Sequence, residues 1–558
     1  MPKQIKDSFK LALAQLNPVV GDLDGNVRKA REARASAAAK GADLIAFTEL
    51  YLTGYPLEDL VLKPALQQAA RVACEELARD TDDGGPAVLM GLPWAEAPFV
   101  YNAMALLDRG RIETVRFKYN LPNYGVFDEK RVFAAGPLPP PIEVRGLLLG
   151  VPICEDIWSD EACRVLAKAG AALLIVPNGS PYWSDKLPQR LAVARERVAE
   201  TGLPLAYVNQ VGGQDELVFD GASFVLNADG ALALQMPAWE EAVAVTEWRR
   251  DARRWRCEPG PLAEIEQGDA ANYLACVTGL RDYVDKNGFP GVVLGLSGGI
   301  DSALCAAMAV DALGASRVHG VMLPYAYTSE ESVGDAAATA EMLGLRYDIM
   351  PIHPAVDGLA ESLAAVADAG GATGTTEENL QSRARGTLLM GLSNKFGPMV
   401  ITTGNKSEVS VGYATLYGDM NGGFNPIKDL YKTQVYALAR YRNAARPKHC
   451  LGPEGVVIPE NVIAKAPTAE LKPNQRDQDT LPPYDVLDDI LNCLVELELP
   501  VAEIVARGHP PEIVKKIERM LYLAEYKRRQ AAPGVKITAK NFGRDRRYPI
   551  TNKFRERL

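Results

Sequence analysis

Histidine is scarce in this chain of 558 residues, which has four, at positions 319, 353, 449 and 509. No two of them are close in the sequence, which argues against a histidine metal site and against a Ser-His-Asp triad. The eight cysteines form no Cys-x-x-Cys pair, which argues against a zinc cluster and is typical of a reducing compartment. No apolar run approaches the ~20 residues of a membrane span. We therefore expect a cytoplasmic protein with no membrane segment.

Basic charge is also in deficit, since the net charge is -10 and the isoelectric point is about 5.3. This balance argues against a general nucleic-acid binder. The composition, 47% hydrophobic and 24% charged, is that of an ordinary soluble globular protein. A chain of this length exceeds what one hydrophobic core serves, so we expect two domains.

The two halves of the chain differ in their pattern. Residues 9–246 alternate short strand-like runs with helical runs, as in a layered α/β domain. A charged segment containing proline and glycine follows, and we predict a linker at 249–268 between domains 1–248 and 269–558. From residue 269 the order of elements is βαβαβ, which predicts a doubly wound parallel sheet with its ligand at the C-terminal ends of the strands.

The stretch LGLSGGIDSAL (294–304) lies between an apolar strand and a helix and has no lysine, unlike a Walker loop. Gly298 and Gly299 leave consecutive backbone N–H groups accessible, and Ser297 and Ser302 add hydroxyl groups. These donors at a helix N-terminus form a nest for phosphate. Asp301 adds a carboxylate where Mg²⁺ on the phosphates would lie.

This stretch resembles the SGGxDS loop of the ATP pyrophosphatases, which cleave ATP between the α and β phosphates. Residues 399–434, KAPTAEL (465–471), EYKRRQ (525–530) and NLQSRARGTLL (379–389) resemble the NAD synthetases among them. The resemblance implies a Rossmann-like domain in which ATP adenylates the carboxylate of deamido-NAD and ammonia then displaces AMP. No side-chain nucleophile is needed, so catalysis would come from positioning and charge stabilisation.

The same resemblance implies roles for individual residues. Those implied to bind ATP are Gly295, Leu296, Ser297, Gly298, Gly299, Ile300, Asp301, Ser302, Thr403, Lys432 and Thr468. Those implied to bind deamido-NAD are Asn379, Arg383, Glu408 and Lys527, and the Mg²⁺ ligands are Asp301 and Glu408. Three alternatives stay open: Glu408 as a helix N-terminal acid, Lys527 as part of a basic surface tail, and Arg385 as a dinucleotide contact or a solvated charge.

In the first half, Glu49, Lys118 and Cys154 each follow a predicted strand. Singly, each has an ordinary explanation: a strand-end acid, a surface cation and a small core residue. In this order and with these flanking residues they resemble the Glu-Lys-Cys triad of the nitrilase (carbon–nitrogen hydrolase) superfamily. The resemblance implies an αββα sandwich in which Cys154 is the nucleophile, Glu49 the general base and Lys118 the oxyanion stabiliser. We expect Lys118 to lower the pKa of the Cys154 thiol.

The superfamily resemblance also indicates how glutamine would be held. Tyr124, Ser180 and Lys186 lie on superfamily-like stretches, with Glu155 and Tyr55 as weaker candidates. Whether Lys186 or Arg190 meets the substrate carboxylate is open. Glu129 is either an auxiliary catalytic glutamate or a surface acid.

Together the two resemblances imply an enzyme that takes ammonia from glutamine and uses ATP to convert deamido-NAD to NAD. They also imply a homo-oligomer, a dimer through the synthetase domain or an octamer, and an ammonia tunnel between the sites. One alternative is a nitrilase-type amidase fused to an ATP pyrophosphatase acting on another acid. A second is a non-catalytic sensor of nucleotide and glutamine.

Overall fold

The structure is a computed structural model that describes residues 7–251, 254–364, 375–473 and 475–556. It divides the chain into two compact units, Met1–Glu266 and Gln267–Leu558. A low-complexity patch at 367–376, whose composition predicts a mobile loop, lies outside the described residues except for Thr375 and Thr376. Those two begin a helix.

The described residues of the first unit form two large sheets, one two-stranded hairpin and four α-helices. One sheet has seven strands in the order β15-β14-β1-β2-β3-β4-β5, the other has six in the order β13-β12-β9-β8-β7-β6, and β10 and β11 form a hairpin. The strands are β1 (Ser8–Gln15), β2 (Leu44–Ala46), β3 (Ala87–Glu96), β4 (Phe99–Asp108), β5 (Arg111–Phe117), β6 (Ile142–Val144), β7 (Leu147–Gly150), β8 (Leu173–Asn178), β9 (Leu205–Asn209), β10 (Val211–Gln214), β11 (Leu217–Asp220), β12 (Phe224–Leu226), β13 (Leu232–Gln235), β14 (Ala242–Asp251) and β15 (Arg254–Cys257). The helices are α1 (Leu23–Ala39), α2 (Pro64–Arg79), α3 (Glu161–Lys168) and α4 (Lys186–Thr201).

The two sheets pack face to face, and helices cover their outer faces. Alternate residues of β1 separate the layers: Leu11 and Leu13 enter the core shared with the second sheet, whereas Ala12 and Ala14 face α1 and α2. The alternation follows from the two-residue period of a strand. A third core lies between the second sheet and the helices α3 and α4. The predicted αββα sandwich is confirmed.

The segment predicted as a linker differs from that expectation. β14 continues to Asp251, and β15 pairs with it antiparallel as an edge strand of the seven-stranded sheet. In β15, Trp255 and Cys257 are buried while Arg254 and Arg256 are exposed. The basic side chains on the open face obscured the strand period in the sequence. The boundary between the units falls after Glu266, inside the segment 249–268.

The second unit is built on a four-stranded parallel sheet in the order β18-β17-β16-β19. Its strands are β16 (Val292–Gly295), β17 (Val318–Met322), β18 (Arg346–Ile349) and β19 (Met399–Val400). The helices are α5 (Gly268–Lys286), α6 (Ile300–Leu313), α7 (Glu330–Leu343), α8 (His353–Ala364), α9 (Thr375–Phe396), α10 (Lys406–Val411), α11 (Lys432–Ala444), α12 (Glu460–Ala464), α13 (Tyr484–Val495), α14 (Val501–Ala506), α15 (Pro511–Leu523) and α16 (Glu525–Arg528).

This strand order confirms the doubly wound sheet. The chain leaves β16 toward β17 on one side and reaches β19 on the other, so the order reverses between β16 and β19. A crevice opens at the C-terminal ends of strands where such a reversal occurs, and ligands bind there. Across the described ranges of both units, no helix is long and apolar enough to cross a bilayer.

Candidate active sites

The first site assembles at the ends of three strands of the first unit. Glu49 follows β2, Lys118 directly follows β5, and Cys154 follows β7. Cys154 has a left-handed φ of 45° and begins a one-turn helix, Cys154–Ile157. A non-glycine residue in this conformation is strained, and such strain is typical of a nucleophile on a sharp turn.

Lys118 is the centre of a buried ion cluster. Its Nζ lies 2.6 Å from Oε1 of Glu49 and 2.8 Å from Oε2 of Glu129, and the Lys118 side chain has no exposed surface. The Tyr55 hydroxyl donates to Glu129 at 3.0 Å. Glu129 is therefore buried in the cluster, so it is not a surface acid.

The cluster shifts the proton affinities of its members. Burial alone would lower the pKa of Lys118, but the carboxylates of Glu129 and Glu49 outweigh it and hold that pKa well above its usual range. Burial raises the pKa of Glu129 to about 7. Burial, followed by the negative charge of Glu49, raises the pKa of the Cys154 thiol well above its usual range, and the ammonium of Lys118 offsets only part of this. Lys118 thus lowers this pKa, as expected, but the net shift is upward, so the resting Cys154 side chain is a thiol.

Asp156 joins the turn that carries Cys154 to the segment that follows Lys118. Its Oδ2 accepts the backbone N–H of Ile153 at 2.9 Å, while Oδ1 accepts the N–H groups of Tyr119 at 3.1 Å and Asn120 at 2.7 Å. The residue is fully buried. One carboxylate thus sets the spacing between the segments that carry Cys154 and Lys118.

Two cations near this site, Arg190 and Lys186, differ in the bonds that they form within the protein. Arg190 is buried, forms an ion pair with Asp220 at 2.7 Å, and donates to the carbonyls of Ser180 and Pro181 and to the Ser180 hydroxyl. Lys186 forms no ion pair with any described residue, and its Nζ lies over the rings of Trp183 at 3.7 Å and Trp158 at 4.2 Å. Burial, with Arg190 nearby, lowers the pKa of Lys186 to about 7. Lys186 is the cation available to a ligand.

The remaining glutamine-site candidates flank this position. Ser180 is buried, and its N–H donates to Oδ1 of Asn209 at 3.0 Å. Tyr124 is about half exposed, and its hydroxyl donates to the Glu155 carboxylate at 3.1 Å. Burial raises the pKa of Glu155.

The second site begins at the turn from β16 into α6. Ser302 Oγ accepts the Ser297 N–H at 3.2 Å and donates to the Gly299 carbonyl at 3.0 Å. These two hydrogen bonds close the turn. Gly298 has a φ of +81°, and a Cβ there would lie 2.2 Å from the carbonyl oxygen of Ser332. Both the backbone conformation and the close approach of α7 therefore require glycine.

Asp301 and Glu408 lie on opposite sides of the crevice between β16 and β19 and share one cation. Lys432 Nζ contacts Oδ2 of Asp301 and lies 3.2 Å from Oε1 of Glu408. Asn405 caps α10 by accepting the Glu408 N–H at 3.0 Å and donates to Oδ1 of Asp301 at 2.8 Å. The two predicted metal ligands are thus brought together by Asn405 and Lys432.

Burial raises the pKa of Glu408 to about 8, against the lowering effect of Lys432. Burial would lower the pKa of Lys432, but Asp301 and Glu408 hold it well above its usual range. Hard carboxylate oxygens facing one cation fit Mg²⁺ chemically. Among the described residues no group of three or more acidic, cysteine or histidine side chains forms a complete metal site. The remaining ligands would have to come from phosphate and water.

A cavity of about 310 Å³ opens over the loop. The predicted ATP residues that line it are Gly295, Leu296, Ser297, Gly299, Ile300, Asp301, Ser302, Thr403, Lys432 and Thr468. Gly298 does not line the cavity, because it packs against Ser332 behind the turn. Arg385 does, and its Nε donates to the carbonyl of Leu323 at 2.9 Å. Its burial lowers its pKa to about 10, so it is not a solvated charge.

Three of the predicted deamido-NAD residues, Asn379, Arg383 and Lys527, lie outside the lining of this cavity. They meet instead on the segment 412–416: Asn379 accepts from the Thr415 hydroxyl at 2.9 Å, and Arg383 donates to the Leu416 carbonyl at 3.2 Å. Lys527 Nζ donates to the carbonyl of Ala414 at 2.6 Å. Glu408 lines the cavity.

Sequence reasoning missed several residues of the two sites. Asn405 lies three residues before Glu408, a spacing typical of a helix cap, so its position was readable from the sequence. Asp477 is buried, lines the cavity and accepts from the Tyr484 hydroxyl at 2.8 Å. Asn102 donates to Glu49. No sequence signal marked either of these last two, and Asn102 is 53 positions from Glu49.

The fold and the two sites define a class of protein: an enzyme with an amide-hydrolysing domain and an ATP-using domain in one chain. The family model for carbon-nitrogen hydrolases matches residues 10–256, and that for NAD synthase matches residues 273–531.

Curated relatives match the whole chain. The glutamine-dependent NAD(+) synthetase of Rhodobacter capsulatus is 52% identical, with 99% of each chain covered. That of Acinetobacter baylyi is 46% identical over 98% of this chain and 99% of its own. A solved structure of the enzyme from Acinetobacter baumannii, in complex with ADP, is 46% identical, covers 98% of this chain and 99% of its own, and has a TM-score of 0.77. The chain belongs to the glutamine-dependent NAD(+) synthetases.

Proposed function

We propose that this chain converts deamido-NAD to NAD, using ATP in its second unit and ammonia that its first unit releases from glutamine. The observation that carries the proposal is the presence of two complete constellations in one chain. The first is the buried Glu49–Lys118 pair beside a strained Cys154, and the second is the SGGIDS turn beside the Asp301–Lys432–Glu408 cluster. The relatives that cover the full length support it.

In the first unit, Glu49 takes the thiol proton of Cys154, and the thiolate attacks the side-chain amide carbon of glutamine. Lys118, held as an ammonium by two carboxylates, stabilises the oxyanion. The C–N bond then breaks, and the proton on Glu49 leaves with the ammonia. Water activated by Glu49 hydrolyses the thioester to glutamate and restores the thiol.

Substrate recognition uses the remaining side chains of the first site. Lys186 meets the α-carboxylate of glutamine, because Arg190 is already bonded to Asp220, Ser180 and Pro181. Tyr124 and Ser180 contribute hydrogen bonds, and Glu155 faces the α-ammonium. The two tryptophan rings under Lys186 exclude water and strengthen its attraction for a carboxylate.

In the second unit, the N–H groups of the turn and Lys432 hold the phosphates of ATP. A carboxylate oxygen of deamido-NAD attacks the α phosphorus and pyrophosphate leaves. Ammonia then attacks the carbonyl carbon of the mixed anhydride and AMP leaves. Mg²⁺, when bound by Asp301 and Glu408, would neutralise charge on the triphosphate. Lys432 then exchanges these carboxylates for phosphate oxygens.

The other predicted residues complete the second site. Thr403 and Thr468 contact ATP across the cavity, while Asn379, Arg383 and Lys527 hold deamido-NAD on the far side of the segment 412–416. We also propose a homo-oligomer of at least two chains, with an octamer as the larger alternative. Size-exclusion chromatography with light scattering measures the number of chains.

The test compares the native chain with Cys154→Ala, each supplied with ATP, deamido-NAD and either glutamine or ammonium. Cys154→Ala is expected to lose NAD formation from glutamine and to keep it from ammonium. Cys163→Ala is the matched control, because Cys163 is also a buried cysteine of the first unit but lies on α3. Absence of NAD from either nitrogen source in the native chain would overturn the proposal.

A further inference from the structure

Asn102, on β4, contacts both polar members of the first site. Its side-chain Nδ2 donates to Oε1 of Glu49 at 2.7 Å, and its backbone carbonyl accepts the N–H of Lys118 at 2.8 Å. The same Glu49 oxygen accepts from Lys118 Nζ at 2.6 Å, and the other oxygen accepts the Gly179 N–H at 2.9 Å. Three donors therefore fix both oxygens of this carboxylate.

The second polar atom of the Asn102 side chain is not used. Oδ1 is buried and accepts no hydrogen bond from the described residues. An unpaired buried acceptor costs folding free energy, and an apolar side chain of similar volume would avoid that cost. Rotating the amide would not help, because it would place Oδ1 against the Glu49 carboxylate. The donation to Glu49 thus explains why an amide occupies this position.

The charged and titratable groups around Glu49 make this donation important. The ammonium of Lys118 attracts the negative charge of Glu49. Glu129, Glu155 and the Cys154 thiol, once it is ionised, repel that charge, and the Tyr55 hydroxyl is also near it. A hydrogen bond to the charged form of a carboxylate favours that form. Asn102 is fully buried, and its side-chain Nδ2 contacts Glu49 directly.

We propose that Asn102 is a positioning residue that keeps Glu49 ionised and correctly oriented as the proton acceptor for Cys154. This inference rests on the proposed glutaminase activity. Without the amide donor, a proton on Glu49 is lost only at a higher pH. A protonated Glu49 cannot accept the proton of Cys154. Loss of the Asn102 amide is therefore expected to lower the rate and shift its pH dependence. It should not change the affinity for glutamine.

The test is glutamate release from glutamine by the full chain, measured from pH 5.5 to pH 9. In Asn102→Leu the acid limb of kcat is expected to move up by about 1 pH unit, with kcat near neutral pH about 10-fold lower and KM within about twofold of native. In Asn102→Asp a second carboxylate faces Glu49, so the acid limb of kcat should move to a higher pH than in Asn102→Leu. Should Asn102→Leu fail to fold, Asn102→Ala carries the same expectation.

Asn227 offers a matched control in the same unit. It is buried, and its side chain bonds the backbone of Cys257 at 2.8 and 3.1 Å. Asn227→Leu should lower the melting temperature and leave the acid limb in place, whereas Asn102→Leu should move the limb with little change in melting temperature. A native acid limb in Asn102→Leu, or an equal loss at every pH, would overturn the inference. Absence of glutamate release from the native chain would overturn the glutaminase proposal itself.

Discussion

The carboxylates of the first unit lie fully buried around Lys118, whereas those of the second unit line an open cavity around Lys432. Glu49 and Lys118 have no exposed side-chain surface, while Asp301 and Glu408 keep 17% and 18%. The first cluster is complete, because every charge already has a partner within the protein. In the second cluster, Lys432 forms ion pairs with Asp301 and Glu408, and both carboxylates line the cavity.

The difference reflects what each reaction needs. Amide hydrolysis uses the protein's own nucleophile and base, so their geometry is set by packing before substrate arrives. Adenylation uses phosphate groups that arrive with ATP, so the protein supplies donors, and the charges rearrange around the ligand. Substitutions of the two lysines should therefore have different consequences.

The largest effect is expected from Lys118→Met. It removes the proposed oxyanion stabiliser and leaves two buried carboxylates without a counter-ion, so glutamine hydrolysis should fall by about 10³-fold or more. The free energy of unfolding should fall by about 3–5 kcal/mol. Glutamate release and chemical denaturation measure these changes. Lys29→Met, which breaks an exposed pair with Glu241, is the control and should cost under about 1 kcal/mol. Native-like hydrolysis by Lys118→Met would contradict the assigned role.

Lys432→Met should lower NAD formation about 10²-fold with either nitrogen source, because the cation proposed to hold the phosphates is lost. Its effect on stability should be smaller than that of Lys118→Met, since solvent reaches Asp301 and Glu408 and protonation of Glu408 relieves their repulsion. Ammonium-dependent activity and melting temperature test both statements. A stability loss equal to that of Lys118→Met would erase the distinction between the two sites.

Gly298→Ala should reduce ammonium-dependent NAD formation about 10-fold, because the added Cβ would meet the Ser332 carbonyl and displace the turn. The KM for ATP reports the displacement. Gly334→Ala on α7 is the matched control, since a Cβ there meets nothing within 4 Å. Equal activity of the two variants would show that the turn tolerates the side chain.

The last prediction concerns pH and the stability of the ligand-free chain. The pKa of Glu408 is about 8 in the folded protein and about 4.3 in an unfolded chain. Between these values the folded state binds more protons, so this group's contribution to stability falls as pH rises and levels off above about pH 8. Glu408→Gln should flatten the decline in melting temperature between pH 5 and pH 8.5. Glu341 is an exposed acid on α7, and the control variant Glu341→Gln should show the same decline as the native chain. If the decline persists in Glu408→Gln, another group causes it.

Much of the fold was readable because the signals were local. Alternating apolar runs predicted the strands of the sandwich, and the turn from β16 into α6 was predicted from SGGIDS together with the elements on either side. The last strand pair was missed, because Arg254 and Arg256 on its open face resemble a charged linker. The direction of the pKa shift of Cys154 was also missed. A cation is visible in the sequence, but burial, which raises this pKa most, and the approach of Glu49 from a distant segment come only with the tertiary structure.

The sequence by itself determined the two units, the strand-end positions of Glu49, Lys118 and Cys154, and the turn at 297–302, because strand period, glycine placement and helix starts are local properties of a chain. Only the tertiary structure decided that Glu129 joins Lys118, that Arg190 pairs with Asp220, and that Lys186 has no ion-pair partner among the described residues. It also decided that Asn102 supports Glu49. These are contacts between residues far apart in the chain, and which buried polar groups become partners is settled by packing.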